Sequence, residues 1–96
     1  MSNLVSTRDI YESAYFLTLG ANIENVEVIT ENSKLVCKFS FSGSNLLQAQ
    51  NDYFNAKAVV NLWDFRRCYN RINSLIGTAR KEEKLRQAQL SQGGVS

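Results

Sequence analysis

The stretch NVEVITENSKLVCKFSF, residues 25–41, decides the fold. From Leu35 to Phe41 the large apolar residues alternate with smaller or polar ones. Leu35, Cys37, Phe39 and Phe41 fall on one face, and Val36, Lys38 and Ser40 on the other. A period of two is the repeat of a β-strand, so one segment sends four bulky side chains into a core. Asn25 to Thr30 carries a weaker version, with Val26 and Val28 set against Glu27 and Ile29. Glu31-Asn32-Ser33-Lys34 between them is a polar turn, and Asn tolerates unusual dihedrals there. The two segments predict an antiparallel hairpin. Phe39 and Phe41 need a broad cover, and a helix supplies one.

Helical spacing appears on both sides of the hairpin. Upstream, Ile10, Ala14, Leu17 and Ala21 recur at i, i+4, i+7 and i+11, with Tyr11 and Tyr15 as a second row. This predicts a helix from Thr7 to Leu19, capped by Ser6 or Thr7, with Asp9 at the positive end of its dipole and Gly20 closing it. Downstream, Ser44 or Asn45 caps a helix to about Phe54, built on Leu46, Leu47, Ala49, Tyr53 and Phe54, and Asn55 ends it. Lys57 to Val60 reads as a short third strand. Asn61 and Asp64 form a capping-box variant. Phe65, Cys68, Tyr69, Ile72, Leu75 and Ile76 then make a continuous apolar stripe that Gly77 can terminate. From Thr78 the residues have good helix propensity but almost no face to bury. Gln92 to Ser96 reads as a flexible end.

The expected architecture is therefore α+β, in the order α-β-β-α-β-α. A small antiparallel sheet is covered by helices, with one domain over 1–77 and a charged helical or flexible tail over 78–96. A core this small is marginal, and a three-stranded sheet leaves two edges unpaired. Both points favour a homo-oligomer.

Hydrophobic residues make up 44% of the 96 residues and charged residues 21%, an ordinary globular composition. Apolar runs never approach the roughly 20 residues that span a bilayer, and Met1 to Val5 does not read as a signal peptide. Cys37 and Cys68 form no CxxC pair; the sequence permits a single disulfide between them, but they read as buried, reduced thiols. The expected location is a cytoplasm, bacterial or host. The chain has no histidine, which excludes imidazole triads, imidazole metal ligands and histidine switches.

The run Thr7-Arg8-Asp9-Ile10, Ala14 and Leu17 with Gly20, the Lys38-Phe39-Ser40-Phe41 strand, Tyr53-Phe54-Asn55 and Phe65 opening a final helix together resemble a known family. It is a small uncharacterised family of prokaryotes and their phages, a domain of unknown function, and the likeness covers roughly residues 7 to 76. The resemblance implies a short microbial or viral protein, located in a cytoplasm, that of the host or a virion if the chain is phage-encoded, and transfers no catalytic residue.

Little in the sequence points to catalysis. Asp9 and Glu12 share a helix face, but first-turn carboxylates are explained by the helix dipole. The glycines fit neither phosphate-binding fingerprint, and no calcium-loop spacing occurs. The reading is a non-enzymatic binding domain with no metal and no cofactor. Charge is more informative. Residues 1–55 hold three cations against six carboxylates, and residues 56–96 hold eight against three, so +2 conceals −3 followed by +5. Arg66, Arg67 and Arg71 on the last helix, extended by Arg80 and Lys81, are the candidate nucleic-acid contacts. The same side chains also suit an ordinary solvated helix face, with i, i+4 pairing in the tail. Of the aromatic residues, those on the strand read as core, which disfavours base stacking on the sheet. Tyr11, Tyr15 and Trp63 are the candidate protein interface, or else complete the edge of the core. The leading expectation is DNA or RNA binding. The alternative is a protein-interaction or assembly subunit, such as a virion component or accessory factor.

Overall fold

A computed structural model describes residues 4–93, with side chains through Leu90. The elements are β1 (Val5–Thr7), α1 (Ile10–Thr18), β2 (Asn22–Glu31), β3 (Lys34–Ser42), α2 (Leu46–Phe54) and α3 (Leu62–Gly93). The chain is the expected α+β domain. Its antiparallel three-stranded sheet has the order β1-β3-β2.

The hairpin forms as its alternation predicts. Val26 pairs with Phe39 and Val28 with Cys37, so all four share the core face. Ile23 pairs with Phe41, while the next pairing is Asn25 with Ser40. Glu24 is thus an inserted residue, and this bulge lets Ile23 and Val26, three apart, face the same way. The turn uses Asn32 at φ 52° and Ser33 at φ 65°, the two left-handed residues of a tight hairpin.

The third strand is Val5–Thr7 and not Lys57 to Val60. Val5 pairs with Phe41 and Thr7 with Phe39, with Val5 and Thr7 buried and Ser6 outward. The hydroxyls of Ser6 and Ser40 meet across the open face at 2.9 Å. Lys57 to Val60 instead bridges α2 to α3. Ala56 adopts φ 59° and the Lys57 amide donates to the Asp52 carbonyl at 2.8 Å, which closes α2 with a turn. Val59 is left 88% exposed.

Because β1 claims Thr7, α1 begins later than its spacing suggests, and Asp9 is the cap. Its Oδ1 accepts from the amides of Tyr11 at 2.8 Å and Glu12 at 3.2 Å. Gly20, at φ 85°, closes the helix: its amide donates to the Leu17 carbonyl, and that of Ala21 to Phe16. α1 is the central helix and buries Glu12 through Phe16 without a break. Phe16 meets Phe41 edge-on at 5.4 Å, and Ile72 of α3 completes this core with no exposed surface.

α3 starts where expected. The Asn61 side chain accepts from the amides of Trp63 at 3.0 Å and Asp64 at 3.2 Å. It does not stop at Gly77, however, but runs unbroken to Gly93. The physical reason is tertiary. Ala79 packs against the core, and the Arg80 Nε–H donates to the Leu35 carbonyl of β3 at 3.1 Å. These contacts hold the charged segment against the far end of the hairpin. Gln92 and Gly93, expected to be loose, belong to the helix, and the rest of that expected end lies outside the described residues. Among the described residues, no helix is long and apolar enough to cross a membrane.

Candidate functional site

α3 carries almost all of the second half's cations, and a helix turns 100° per residue. Arg66, Asn70, Asn73, Arg80, Lys81 and Lys84 therefore project from one flank, at i, i+4, i+7, i+14, i+15 and i+18. The carboxylates of α3 lie elsewhere. Asp64 and Glu82 occupy the opposite flank, and Glu83 is turned toward the sheet, half-buried and paired with Arg86. One flank of this helix thus carries four cations and no acid.

The five cations picked from the sequence divide between the two flanks. Arg66 is exposed and lies over the Trp63 indole, 5.7 Å from the ring centroid. Arg67 forms an ion pair with Asp64, one turn back. Arg71 is exposed on that same acidic flank, so the structure separates Arg67 and Arg71 from Arg66. Arg80 and Lys81 stay with Arg66. Arg80 also reaches under the hairpin end, where its charge opposes the effect of burial, which pushes the Cys37 thiol up.

Lys34 is the residue the sequence reading missed. It sits beside the hairpin turn, and with Ser33, Leu35, Arg80 and Lys84 it lines a shallow depression of about 310 Å³. A second depression, of about 440 Å³, adjoins it along α3 and is lined by Gly77, Arg80, Lys81, Lys84 and Leu85. Lys34, Arg80, Lys81 and Lys84 thus converge from two elements. No local signal joins Lys34 to Lys84; only the tail's packing over the hairpin does.

The candidate interface aromatics also separate. Tyr15 is 6% exposed and belongs to the core, stacked on Tyr53 at 6.2 Å, so it is not an interface residue. Tyr11 stacks on Tyr69 at 5.4 Å and Phe65 at 6.3 Å, beside the core-facing stripe of α3. Trp63 projects from the far side of that helix, 69% exposed. Its neighbours in sequence, Val59 and Leu62, are exposed too, as are Phe54 and Leu47 on the outer stripe of α2.

Asp9 and Glu12 form a structural cluster. Asp9 spends one oxygen capping α1, and its Oδ2 accepts from the Tyr53 hydroxyl at 2.8 Å. Burial, then Asp9, pushes the Tyr53 hydroxyl up to about 12. Glu12 is 1% exposed, and its Oε2 has no hydrogen-bond partner among the described residues. Burial and, less strongly, Asp9 raise its carboxyl above the usual range, against hydrogen bonds from Thr7 and Gln50. Among the described residues, no three potential ligands group to hold a metal ion.

Comparison with protein-family models, curated proteins and solved structures finds no match to this chain.

Proposed function

We propose that this chain is a non-enzymatic binding domain that holds a nucleic-acid backbone against the acid-free flank of α3 and the hairpin tip. One observation carries the reading: Lys34, Arg80, Lys81 and Lys84 line adjoining depressions that no carboxylate lines, and Glu31, opposite Lys34 in the hairpin, is paired with Arg8. Arg66 continues the row, so cations are distributed over about 27 Å of helix. Asn70 and Asn73 between them add amides that donate to phosphate or sugar oxygens. Such contacts position a backbone without reading its sequence. The free thiols Cys37 and Cys68 accord with a reducing cytoplasm, bacterial or host.

Reversing Lys34, Lys81 and Lys84 to Glu removes retention on DNA or RNA at low salt while leaving the fold intact, since all three are exposed. Undiminished retention by that variant defeats the proposal.

A second reading is contact with another protein, in an assembly or as an accessory factor. It draws on the exposed Leu47, Phe54, Val59, Leu62 and Trp63. Salt separates the two readings. Phosphate contacts weaken steeply as salt rises, whereas apolar association persists.

A further inference from the structure

We propose that the free edge of β2 is a dimer interface, at which a second copy of this chain adds its own β2 antiparallel about a two-fold axis. β2 is ten residues long and lies at the edge of the sheet, with β3 as its one neighbour. The main-chain N–H and C=O groups on its other side have no strand partner among the described residues. Such a row is a template for another strand.

The core layer is also unfinished on this side. Val26 and Val28 point to the core face yet stay only half-buried, because the C-terminal part of α3 stands off from them. A depression of about 300 Å³ remains there, lined by the two valines, Ala79, Glu82, Glu83 and Arg86. A strand added to β2 extends its floor and places further side chains beneath the helix. The valine spacing suits a copy of the same strand: an antiparallel partner centred on Glu27 sets Val26 against the copy's Val28 on one face.

The rim identifies the occupant. Glu82 and Arg86 lie one turn apart at its lip and carry opposite charges, and Arg86 is already paired with Glu83 of its own helix. A two-fold axis brings each α3 alongside its mate running the other way, so Glu82 of one copy joins the Arg86–Glu83 pair of the other, the guanidinium bridging two carboxylates. A patch bearing both signs complements itself, which is what an isologous interface requires. The cost is a Glu27–Glu27 approach on the open face, where each Glu27 is flanked by its own Lys38 through the β2–β3 register. The interface is separate from the basic flank of α3 and does not depend on it.

The test is sedimentation equilibrium of the full chain up to about 1 mM, with amide exchange read strand by strand. The expected result is twice the 10.9 kDa chain mass, with β2 amides exchanging more slowly as dimer forms. Glu82→Arg, on an exposed residue, weakens the dimer at least tenfold, and adding Arg86→Glu restores it by swapping the charges. A chain that stays at 10.9 kDa at the top concentration overturns the proposal. So does a dimer whose β2 amides exchange as fast as the monomer's, or one indifferent to Glu82→Arg.

Discussion

The two halves of α3 are held by different forces. Up to Ile76 the helix is fixed by burial: Ile72 is fully enclosed, Ile76 nearly so, and the Phe65–Tyr69 row stacks on Tyr11 of α1. Beyond Gly77 the apolar contribution shrinks to Ala79, and a hydrogen bond from Arg80 to a strand carbonyl does much of the holding. Burial of that kind uses up a surface, while the second arrangement leaves one exposed. Its cations are presented on a rigid rod, and part of the stability comes from the half that packs into the core. A single helix thus holds the domain together through the buried face of its first half and extends the charge of Arg66 through Arg80, Lys81 and Lys84 in its second.

The difference can be broken first at its strong end. Ile72→Ala leaves a cavity between α1, α3 and the sheet, and should cost about 3 kcal/mol in chemical denaturation of the whole domain. An effect confined to α3 would mean the first half is not part of the common core. Glu12, buried in α1 where the strong half packs, offers the next handle. Its carboxyl holds its proton more tightly folded than unfolded, so the folded state loses stability as pH rises above the ordinary carboxylate range. Glu12→Gln should remove that decline, match the parent in acid and exceed it at neutral pH in thermal melts. A parent melting temperature that climbs between acid and neutral pH, relative to Glu12→Gln, contradicts the buried placement. The smallest effect lies at the junction. A Cβ at Gly77 meets nothing within 4 Å, so Gly77→Ala should stabilise by about 0.5–1 kcal/mol and slow amide exchange beyond residue 77. Destabilisation there would mean the helix needs a break at the glycine.

Much of this was readable in residue spacing. The period-two alternation of Leu35 to Phe41 yields the central strand, and Asn45, Asn55 and Asn61 mark helix ends where they occur. What local signals omit is pairing at a distance. Val5-Ser6-Thr7 is too short to announce a strand and becomes one because the neighbouring edge of β3 is free beside it. Lys57 to Val60 has better local β character but follows a turn that delivers it to α3. The tail looked unsupported for the same reason, since Arg80 finds its partner, the Leu35 carbonyl, 45 residues back in the chain. The charge asymmetry behind the candidate site was visible in composition. Its geometry was half visible: helical phase alone separates Arg66 from Arg67 and Arg71, but nothing in the sequence brings Lys34 to Lys84.

The most direct measurement is the slope of log affinity for duplex DNA or RNA against log salt concentration, compared between the two flanks of α3. Four or five phosphate contacts give a slope near −4 on DNA, by about −0.9 per contact. Lys81→Ala with Lys84→Ala should flatten it by about 2, and Arg67→Ala with Arg71→Ala should leave it nearly unchanged. Equal flattening by both pairs, or no salt-dependent binding at all, contradicts the assignment of nucleic-acid contact to the acid-free flank.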